Sequence, residues 1–219
     1  MKLSKRLEKI ASLIVDADCV IDVGCDHGYL AYELLRSGKS KRVLASDISE
    51  KCLDKTRELA KSKQLEDKLL CRVSDGLLEF KTDKADYVVI AGMGGNEIVK
   101  ILANTPKIEL FKTFILQPMQ DVEVVREYLY KNGFEITVDQ LVQERGKYYS
   151  IIQCVKAESK IEYSKEDVWF GKFEPKQKSF VFLNYCLWTR DSLKRRENYL
   201  DENDLKKLAF CEKILYENK

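Results

Sequence analysis

Hydrophobic positions in the first half of the chain fall into five short runs, each ended by a glycine, a proline or a polar residue. These runs are residues 19–23, 42–46, 69–73, 86–91 and 113–117. Between them, apolar side chains recur at helical spacing in residues 29–37, 49–62, 96–103 and 121–132. Short apolar runs that alternate with amphipathic segments predict βαβ units and hence an α/β fold on a parallel sheet.

The pattern changes after the fifth predicted strand. Residues 134–141 and 148–155 read as two strands, joined by a loop that contains Arg145, Gly146 and Lys147. Two strands so close in sequence form a hairpin, so we expect an antiparallel pair at the end of the sheet.

Residues 157–165 are polar, which indicates a domain boundary. Beyond Pro175 the chain reads as helical, with a break at residues 201–204 and thus two antiparallel helices. We expect their apolar stripe to consist of Phe180, Val181, Leu183, Leu187, Leu193, Tyr199 and Leu200, continued by Leu205, Leu208, Ala209, Ile214 and Leu215. The sequence therefore predicts two domains, residues 1–158 and 159–219.

Composition narrows the class of protein. No run of 18 apolar residues occurs and the charged N-terminus precedes no apolar segment, so we expect neither a membrane span nor a signal peptide. Seven cysteines without C-x-x-C spacing argue against a disulfide framework and a zinc site, and favour a cytoplasmic location. His27 is the sole histidine, so we expect no metal site. A net charge of +2 neither requires nor excludes a nucleic-acid partner.

The segment from Asp22 to Gly28 joins the first predicted strand to a helix. Gly24 lets the backbone turn sharply and lets a ligand approach closely. The N-terminus of the next helix offers unpaired N–H groups, which suit a carboxylate. A dinucleotide fingerprint would need glycine at positions 26 and 29, where this chain has Asp26 and Tyr29. The loop therefore fits a ligand carboxylate, or it is a structural turn alone.

Acidic side chains also follow the next two strands. Asp47, next to Ile48, could accept hydrogen bonds from both ribose hydroxyls of a nucleoside, or it could cap the following helix. Asp75, before Gly76, could accept from the exocyclic amine of adenine, or it could belong to a simple turn. Because ligands of open α/β sheets bind at the carboxyl ends of the strands, the agreement of these positions with Asp22 predicts a nucleoside cofactor.

A glycine-rich segment follows the fourth strand. Gly92, Met93, Gly94 and Gly95 leave backbone exposed at the same edge of the sheet. The phosphate-binding pattern G-x-x-x-x-G-K is missing here. We therefore interpret this turn as the place where the donor of a transferred group and its acceptor meet.

Together these segments resemble a known family, the bacterial tRNA (adenine-N1)-methyltransferases that modify adenine 22. The resemblance is carried by residues 3–7 (LSKRL), 22–30 (DVGCDHGYL), 90–95 (IAGMGG) and 115–118 (ILQP), and it covers about residues 1–156. Asp26 replaces the middle glycine of the methyltransferase pattern D-x-G-x-G-x-G. The chain departs from the family at Ala31, often proline, and at Met119, often asparagine.

The resemblance implies a Rossmann-like class I methyltransferase sheet that ends in an antiparallel hairpin, and a helical, coiled-coil-like C-terminal domain that helps to hold tRNA. It implies S-adenosyl-L-methionine as the cofactor. The expected cofactor-binding residues are Asp22, Gly24, His27, Gly28, Asp47, Ile48, Asp75, Gly76, Gly92 and Met93.

Adenine N1 carries a lone pair and needs no deprotonation before it attacks. We therefore expect the protein to act mainly by holding the methyl donor and the adenine in line. Asp26 is the candidate catalytic residue, placed near the adenine; alternatively it caps the following helix or binds the amino group of the cofactor. His27 could act as an acid or a base, but a single histidine in a turn more often forms local hydrogen bonds. A base must leave its stack to react. The residues expected to contact RNA are Lys5, Arg6, Tyr29, Arg190, Lys194, Arg195 and Arg196, with Lys2 in the same N-terminal cluster.

Three other functions stay open at this point. The protein could be a methyltransferase with a non-tRNA acceptor, or a non-catalytic RNA-binding module. A structural role with the C-terminal hairpin as a dimerisation surface is a third possibility. We expect a monomer or a weak dimer.

Overall fold

The structure is a computed structural model that describes residues 3–218. Its helices are α1 (Lys5–Leu13), α2 (Tyr29–Arg36), α3 (Glu50–Ser62), α4 (Gly95–Ala103), α5 (Val122–Lys131), α6 (Lys165–Phe170), α7 (Glu174–Gln177), α8 (Phe180–Lys194) and α9 (Glu202–Tyr216). Its strands are β1 (Ala17–Val23), β2 (Ser40–Asp47), β3 (Leu69–Val73), β4 (Ala85–Met93), β5 (Phe111–Pro118), β6 (Phe134–Glu144) and β7 (Lys147–Lys156).

The seven strands form one sheet in the order β3-β2-β1-β4-β5-β7-β6. The first five are parallel to one another, and β7 runs antiparallel to both β5 and β6. The α/β class and the antiparallel ending are thereby confirmed. Reversal of the strand order between β1 and β4 opens a crevice at the carboxyl edge of the sheet, where ligands of such folds bind.

Apolar cores lie on both faces of the sheet. On one face Ile10 of α1, Leu34 of α2 and Leu53 of α3 pack against the strands. On the other face Ile98 of α4 and Leu129 of α5 do so. Strands covered on both faces need apolar side chains at nearly every position, which explains why β1 and β4 read as continuous hydrophobic runs.

Helix α1 was not predicted from the sequence. Ser4 caps it by accepting a hydrogen bond from the Leu7 N–H, and Ile10 and Ala11 are buried. The helix carries four charged side chains in nine residues, so only a narrow apolar face marks it. The structure therefore places Lys5 and Arg6, two of the residues expected to contact RNA, on a packed helix.

The predicted stripe of the C-terminal helices is only partly right, because Leu193 and Ile214 are buried as expected but several other members are exposed. Phe180 is 80% exposed, and Leu187 and Tyr199 are exposed as well. The residues buried between the helices are Phe182, Cys186 and Leu193 of α8 and Cys211 and Ile214 of α9. Helix α8 has neighbours on more than one side, so no single periodic stripe identifies its buried face.

The break between α8 and α9 also lies earlier than predicted. Helix α8 ends at Lys194, and Asp201 caps α9 by accepting from the Asp204 N–H at 2.7 Å. Acidic side chains stabilise a helix N-terminus, so the acidic run begins a helix instead of separating two.

Arg126 ties the C-terminal helices to the sheet. Its guanidinium makes two hydrogen bonds to the Asp139 carboxylate, at 2.7 and 3.0 Å, and one to Ser150 Oγ at 2.9 Å. Its remaining N–H groups donate to the carbonyls of Val168 and Trp169 in α6. These bonds cross the boundary expected near residue 158, and the division into residues 1–158 and 159–219 stays a prediction.

Within residues 3–218, no helix is long and apolar enough to cross a membrane. No group of three or more histidine, cysteine, aspartate or glutamate side chains in it could hold a metal ion.

Candidate cofactor and substrate site

A cavity of about 200 Å³ opens at the carboxyl edge of the sheet, in the crevice between β1 and β4. Of the residues singled out from the sequence, its wall contains Arg6, Asp22, Gly24, Asp26, His27, Tyr29 and Gly92. Leu7, Cys25, Leu30, Ala91 and Gln117 complete it. Most of the proposed catalytic and cofactor-loop residues therefore meet in one place.

A wider cleft of about 530 Å³ lies between α1 and α2. Its charged wall includes Glu33 and Arg36, which already pair with each other at 2.8 Å. Because it lies away from the ends of the strands and its charges are satisfied internally, the smaller cavity is the candidate site.

The β1–α2 loop is held by its own backbone. The N–H groups of Gly24 and Cys25 both donate to the Ser46 carbonyl, at 2.8 and 3.1 Å. Gly24 has φ +72°, and a Cβ there would lie 2.4 Å from Cε of Met93. The left-handed backbone at position 24 therefore favours glycine, and Met93 packs against this turn.

Asp26 occupies the position where the family pattern has its middle glycine. Its φ of 47° lies in the left-handed region, which aspartate tolerates better than most residues because its short side chain bonds locally. The carboxylate lies 2.7 Å from His27 Nδ1 and 3.9 Å from Lys55 Nζ. The His27 ring stacks on the Tyr29 ring with 5.2 Å between centroids. Asp26 is 67% exposed at the cavity rim, free to meet a substrate.

Asp22 and the start of α2 give the cavity a charged floor. Asp22 is buried, and burial raises the pKa of its carboxyl to about 7. Gly28, the N-cap of α2, supplies no side-chain hydrogen bond to the first turn. A buried carboxyl that lacks a cation, beside an uncapped helix N-terminus, fits a ligand that carries both an ammonium and a carboxylate group.

Gly92 leaves bare backbone on the opposite wall. A Cβ at this position, with φ +79°, would meet no atom within 4 Å, so the space in front of it is open. Its N–H donates to Gln117 Oε1 at 3.2 Å. The cavity thus has room for a ligand to approach the main chain at the end of β4.

Asp47 and Ile48 lie beside the cavity and not in its wall. Asp47 Oδ1 accepts from the Ser49 N–H at 2.8 Å, while Ser49 Oγ caps α3 by accepting from the Cys52 N–H. The helix cap is therefore Ser49, and Asp47 braces the turn before it. Ile48 is 71% exposed, which leaves an apolar surface next to that carboxylate.

Asp75 and Gly76 are placed farther from the cavity. Asp75 is exposed and lines a separate small cleft with Lys100 and Asn104. Gly76 has φ +58°, and a Cβ there would lie 2.8 Å from Ile101. Gly28 has a similar packing role, because a Cβ on it would lie 2.7 Å from Thr56. The adenine contact expected of Asp75 stays a prediction.

The sequence analysis missed a polar network that forms one wall of the cavity. Gln117 Oε1 accepts from Arg6 Nη1 at 2.7 Å as well as from the Gly92 N–H. The Arg6 side chain also donates to Glu144 at 2.9 Å and lies over the Tyr149 ring at 4.7 Å. The hydrogen bond from Arg6 lowers the pKa of Glu144. A buried polar residue at the end of the apolar strand β5 was the one signal that could have revealed Gln117.

The other basic residues expected to contact RNA are mostly paired. Arg190 bonds Asp191 at 2.6 Å, Lys194 bonds Glu212 at 2.6 Å, and Arg196 lies 3.5 Å from Asp204. Arg195 and Lys5 are exposed, and Lys2 lies outside the described residues. These pairs weaken the positive potential of the expected patch, whose role stays a prediction.

Comparisons with known proteins agree with this geometry. The family model described as "Methyltransferase domain" matches residues 3–152. The tRNA (adenine(22)-N(1))-methyltransferase of Bacillus subtilis (strain 168) is 32% identical over 197 residues, which cover 87% of this chain and 82% of the relative.

Solved structures resemble the whole chain. A Streptococcus pneumoniae protein in complex with S-adenosyl-L-methionine has a TM-score of 0.90 at 30% identity, over 98% of this chain and all of that one. TrmK of M. capricolum, in complex with the cofactor product S-adenosyl-homocysteine, has a TM-score of 0.81 at 27% identity, over 98% and 95% of the two chains.

The fold, the loop after β1 and the match to residues 3–152 define the class: the protein is a Rossmann-like methyltransferase. The resemblance found in the sequence is confirmed, and the class narrows further. The chain belongs to the family of tRNA (adenine(22)-N(1))-methyltransferases.

Proposed function

We propose that this protein transfers the methyl group of S-adenosyl-L-methionine to N1 of adenine 22 in tRNA. The observation that carries the proposal is the single cavity at the β1–β4 crevice, which joins the buried carboxyl of Asp22, bare backbone at Gly92 and the rim residue Asp26. Such a cavity offers separate surfaces for a charged donor and a planar acceptor. The family and its cofactor complexes support the same reaction.

The donor is held by the loop after β1 and the residues beside it. The Asp22 carboxylate pairs with the ammonium group of the methionine moiety, and the first-turn N–H groups of α2 bind its carboxylate. Asp47 accepts from the ribose hydroxyls, and the exposed Ile48 covers the adenine ring. When bound, the cofactor supplies an electrophilic methyl group.

The acceptor needs no base to activate it, because N1 of adenine has a lone pair in the plane of the ring. The protein's task is to hold that atom in line with the methyl group and to stabilise the positive charge that the ring acquires. Asp26 does the second task from the rim, by contacting the N6 amine. Tyr29, fixed by its stack on His27, provides an aromatic surface against which the extruded base rests.

The direct test is methyl transfer from labelled S-adenosyl-L-methionine to unmodified tRNA, with the product nucleoside identified by mass spectrometry. We expect 1-methyladenosine, and no product when adenine 22 is replaced by guanine. In the same assay, Asp26→Asn keeps the loop conformation and removes the charge, so we expect kcat to fall roughly tenfold.

A different methylated nucleoside, or product that persists without adenine 22, would contradict the assigned acceptor. Cofactor binding without any transfer to tRNA would leave a binding module or another acceptor as the function.

A further inference from the structure

Three aromatic side chains form a cluster on the face of the sheet opposite α1. Tyr148 of β7 packs against Tyr185 and Trp188 of α8, with 5.5 and 6.0 Å between ring centroids. Tyr185 and Trp188 stack at 6.1 Å and 21°. Trp188 nevertheless remains 52% exposed, so its indole presents a wide apolar surface to water.

The cluster is rigid on its inner side. Tyr148 OH accepts a hydrogen bond from Gln143 Nε2 at 3.2 Å, and Tyr185 also packs edge-on against Phe170 at 6.3 Å. An indole fixed by two rings loses little conformational entropy when a ligand stacks on its free surface. Core packing explains Tyr185 but leaves the exposed half of Trp188 without a role.

The cluster borders the same edge of the sheet as the cavity. Because β7 runs antiparallel to β5 and Leu116 pairs with Ile152, the first residues of β7 lie beyond the carboxyl end of β5. Tyr149, on the other face, contacts Arg6 in the cavity wall. From β4 to β7 is two strand spacings, about 10 Å, which a few nucleotides of single strand can cover.

Positive charge lies next to the aromatic cluster, at the outer side of β7. Arg145 and Lys147 are exposed at the turn of the β6–β7 hairpin, and Arg145 has φ 50°. Phosphate groups of a strand that passes over this turn would meet both side chains.

We propose that Trp188, Tyr148 and Tyr185 form a stacking platform for an unpaired base of the same tRNA, close in space to the adenine in the cavity, with Arg145 and Lys147 contacting the phosphates next to that base. The inference rests on the proposed function for the identity of the RNA. Aromatic platforms beside basic grooves bind single-stranded nucleic acid without reading its sequence. The platform therefore increases the affinity for tRNA and helps to orient it, while Asp26 and Tyr29 select the adenine that is methylated.

Tryptophan emission and tRNA affinity test the platform together. Bases that stack on Trp188 should quench its emission, so titration with unmodified tRNA should quench the wild type, and this component should be absent in Trp188→Phe. Trp188→Ala should weaken tRNA binding roughly tenfold, while Trp188→Phe should retain most of the affinity.

Phe180→Ala is the matched control. Phe180 is another exposed aromatic residue of α8, about 12 Å along the helix from Trp188. Its loss should change neither quenching nor affinity. Circular dichroism would verify that each variant is folded.

The outcomes separate the two proposals. Methyl transfer at adenine 22 with unchanged tRNA affinity in Trp188→Ala, and no Trp188-dependent quenching, would overturn the platform and leave the function. Quenching and loss of affinity without methyl transfer would support the platform and overturn the function.

Discussion

At the scale of single residues, Asp22 is the cavity residue whose ionised form burial disfavours most clearly. It is the second-last residue of β1, and burial raises the pKa of its carboxyl to about 7. Between the unfolded pKa near 4 and this value, the folded protein binds more protons than the unfolded chain. Stability from this group is therefore present at acid pH and is lost as the pH rises towards 7. A bound cation reverses the preference by favouring the carboxylate.

We therefore expect the affinity for S-adenosyl-L-methionine to increase as the pH rises from 6 to 8, because Asp22 must lose its proton to pair with the ammonium group. Isothermal titration calorimetry measures this directly. Asp22→Asn should bind more weakly, and the part of the pH dependence that belongs to Asp22 should disappear. Equal pH profiles for both proteins would remove Asp22 from the cofactor site, since titration of the ligand itself affects both alike.

At the scale of elements, Arg126 is the point where α5, β6, β7 and α6 meet. Burial lowers the pKa of its guanidinium, but the charge and the hydrogen bonds of Asp139 outweigh this effect and raise it overall. Five hydrogen bonds satisfy its donors. A paired charge of this kind is stable only while both partners are present.

Arg126→Met should lower the free energy of unfolding by about 3–5 kcal/mol, because it leaves the Asp139 carboxylate buried and unpaired. Urea denaturation measures the change. The double variant with Asp139→Leu removes both charges, and we expect it to be more stable than Arg126→Met alone. If the free energy of unfolding of Arg126→Met is within about 1 kcal/mol of the wild-type value, the ion pair does not hold these elements together.

The elements differ in how well the sequence predicted them. The parallel strands were predictable because both faces of the sheet are covered, which forces apolar residues at consecutive positions. The buried face of α8 was predicted only in part, because Phe182 and Cys186 join a core with residues of both α6 and α9.

The residues of the candidate site also fall into a predictable and an unpredictable group. Asp22, Gly24 and Asp26 lie on one loop, so local sequence pattern placed them together. The wall of Arg6, Gln117 and Glu144 could not be predicted, because Arg6 bonds partners 111 and 138 positions away. No local pattern carries information about contacts of that range.

At the scale of the whole molecule, the C-terminal helices are built onto the sheet. Trp169 and Phe170 of α6 join a core with α8 and α9, and Leu141 of β6 packs against it. The Leu141 N–H donates to the buried Glu174 carboxylate at 3.1 Å. Separation of the two parts would expose this core and break the bonds of Arg126.

We expect thermal unfolding to show a single transition. Both tryptophans, Trp169 and Trp188, belong to the C-terminal helices, so their emission reports on that part, while far-ultraviolet circular dichroism reports on the whole chain. Coincident transitions would indicate one cooperative unit. An earlier loss of tryptophan signal would show that the helices unfold independently.

The pairing of α1 with the β6–β7 hairpin also orders events in time. Lys5 and Arg6 leave the ribosome before their partner Glu144, which is synthesised 138 residues after Arg6. At ordinary rates of translation the interval is on the order of ten seconds. During synthesis α1 must therefore wait for the β6–β7 hairpin, and the bonds that hold Arg6 in the cavity wall are complete only when that hairpin has emerged.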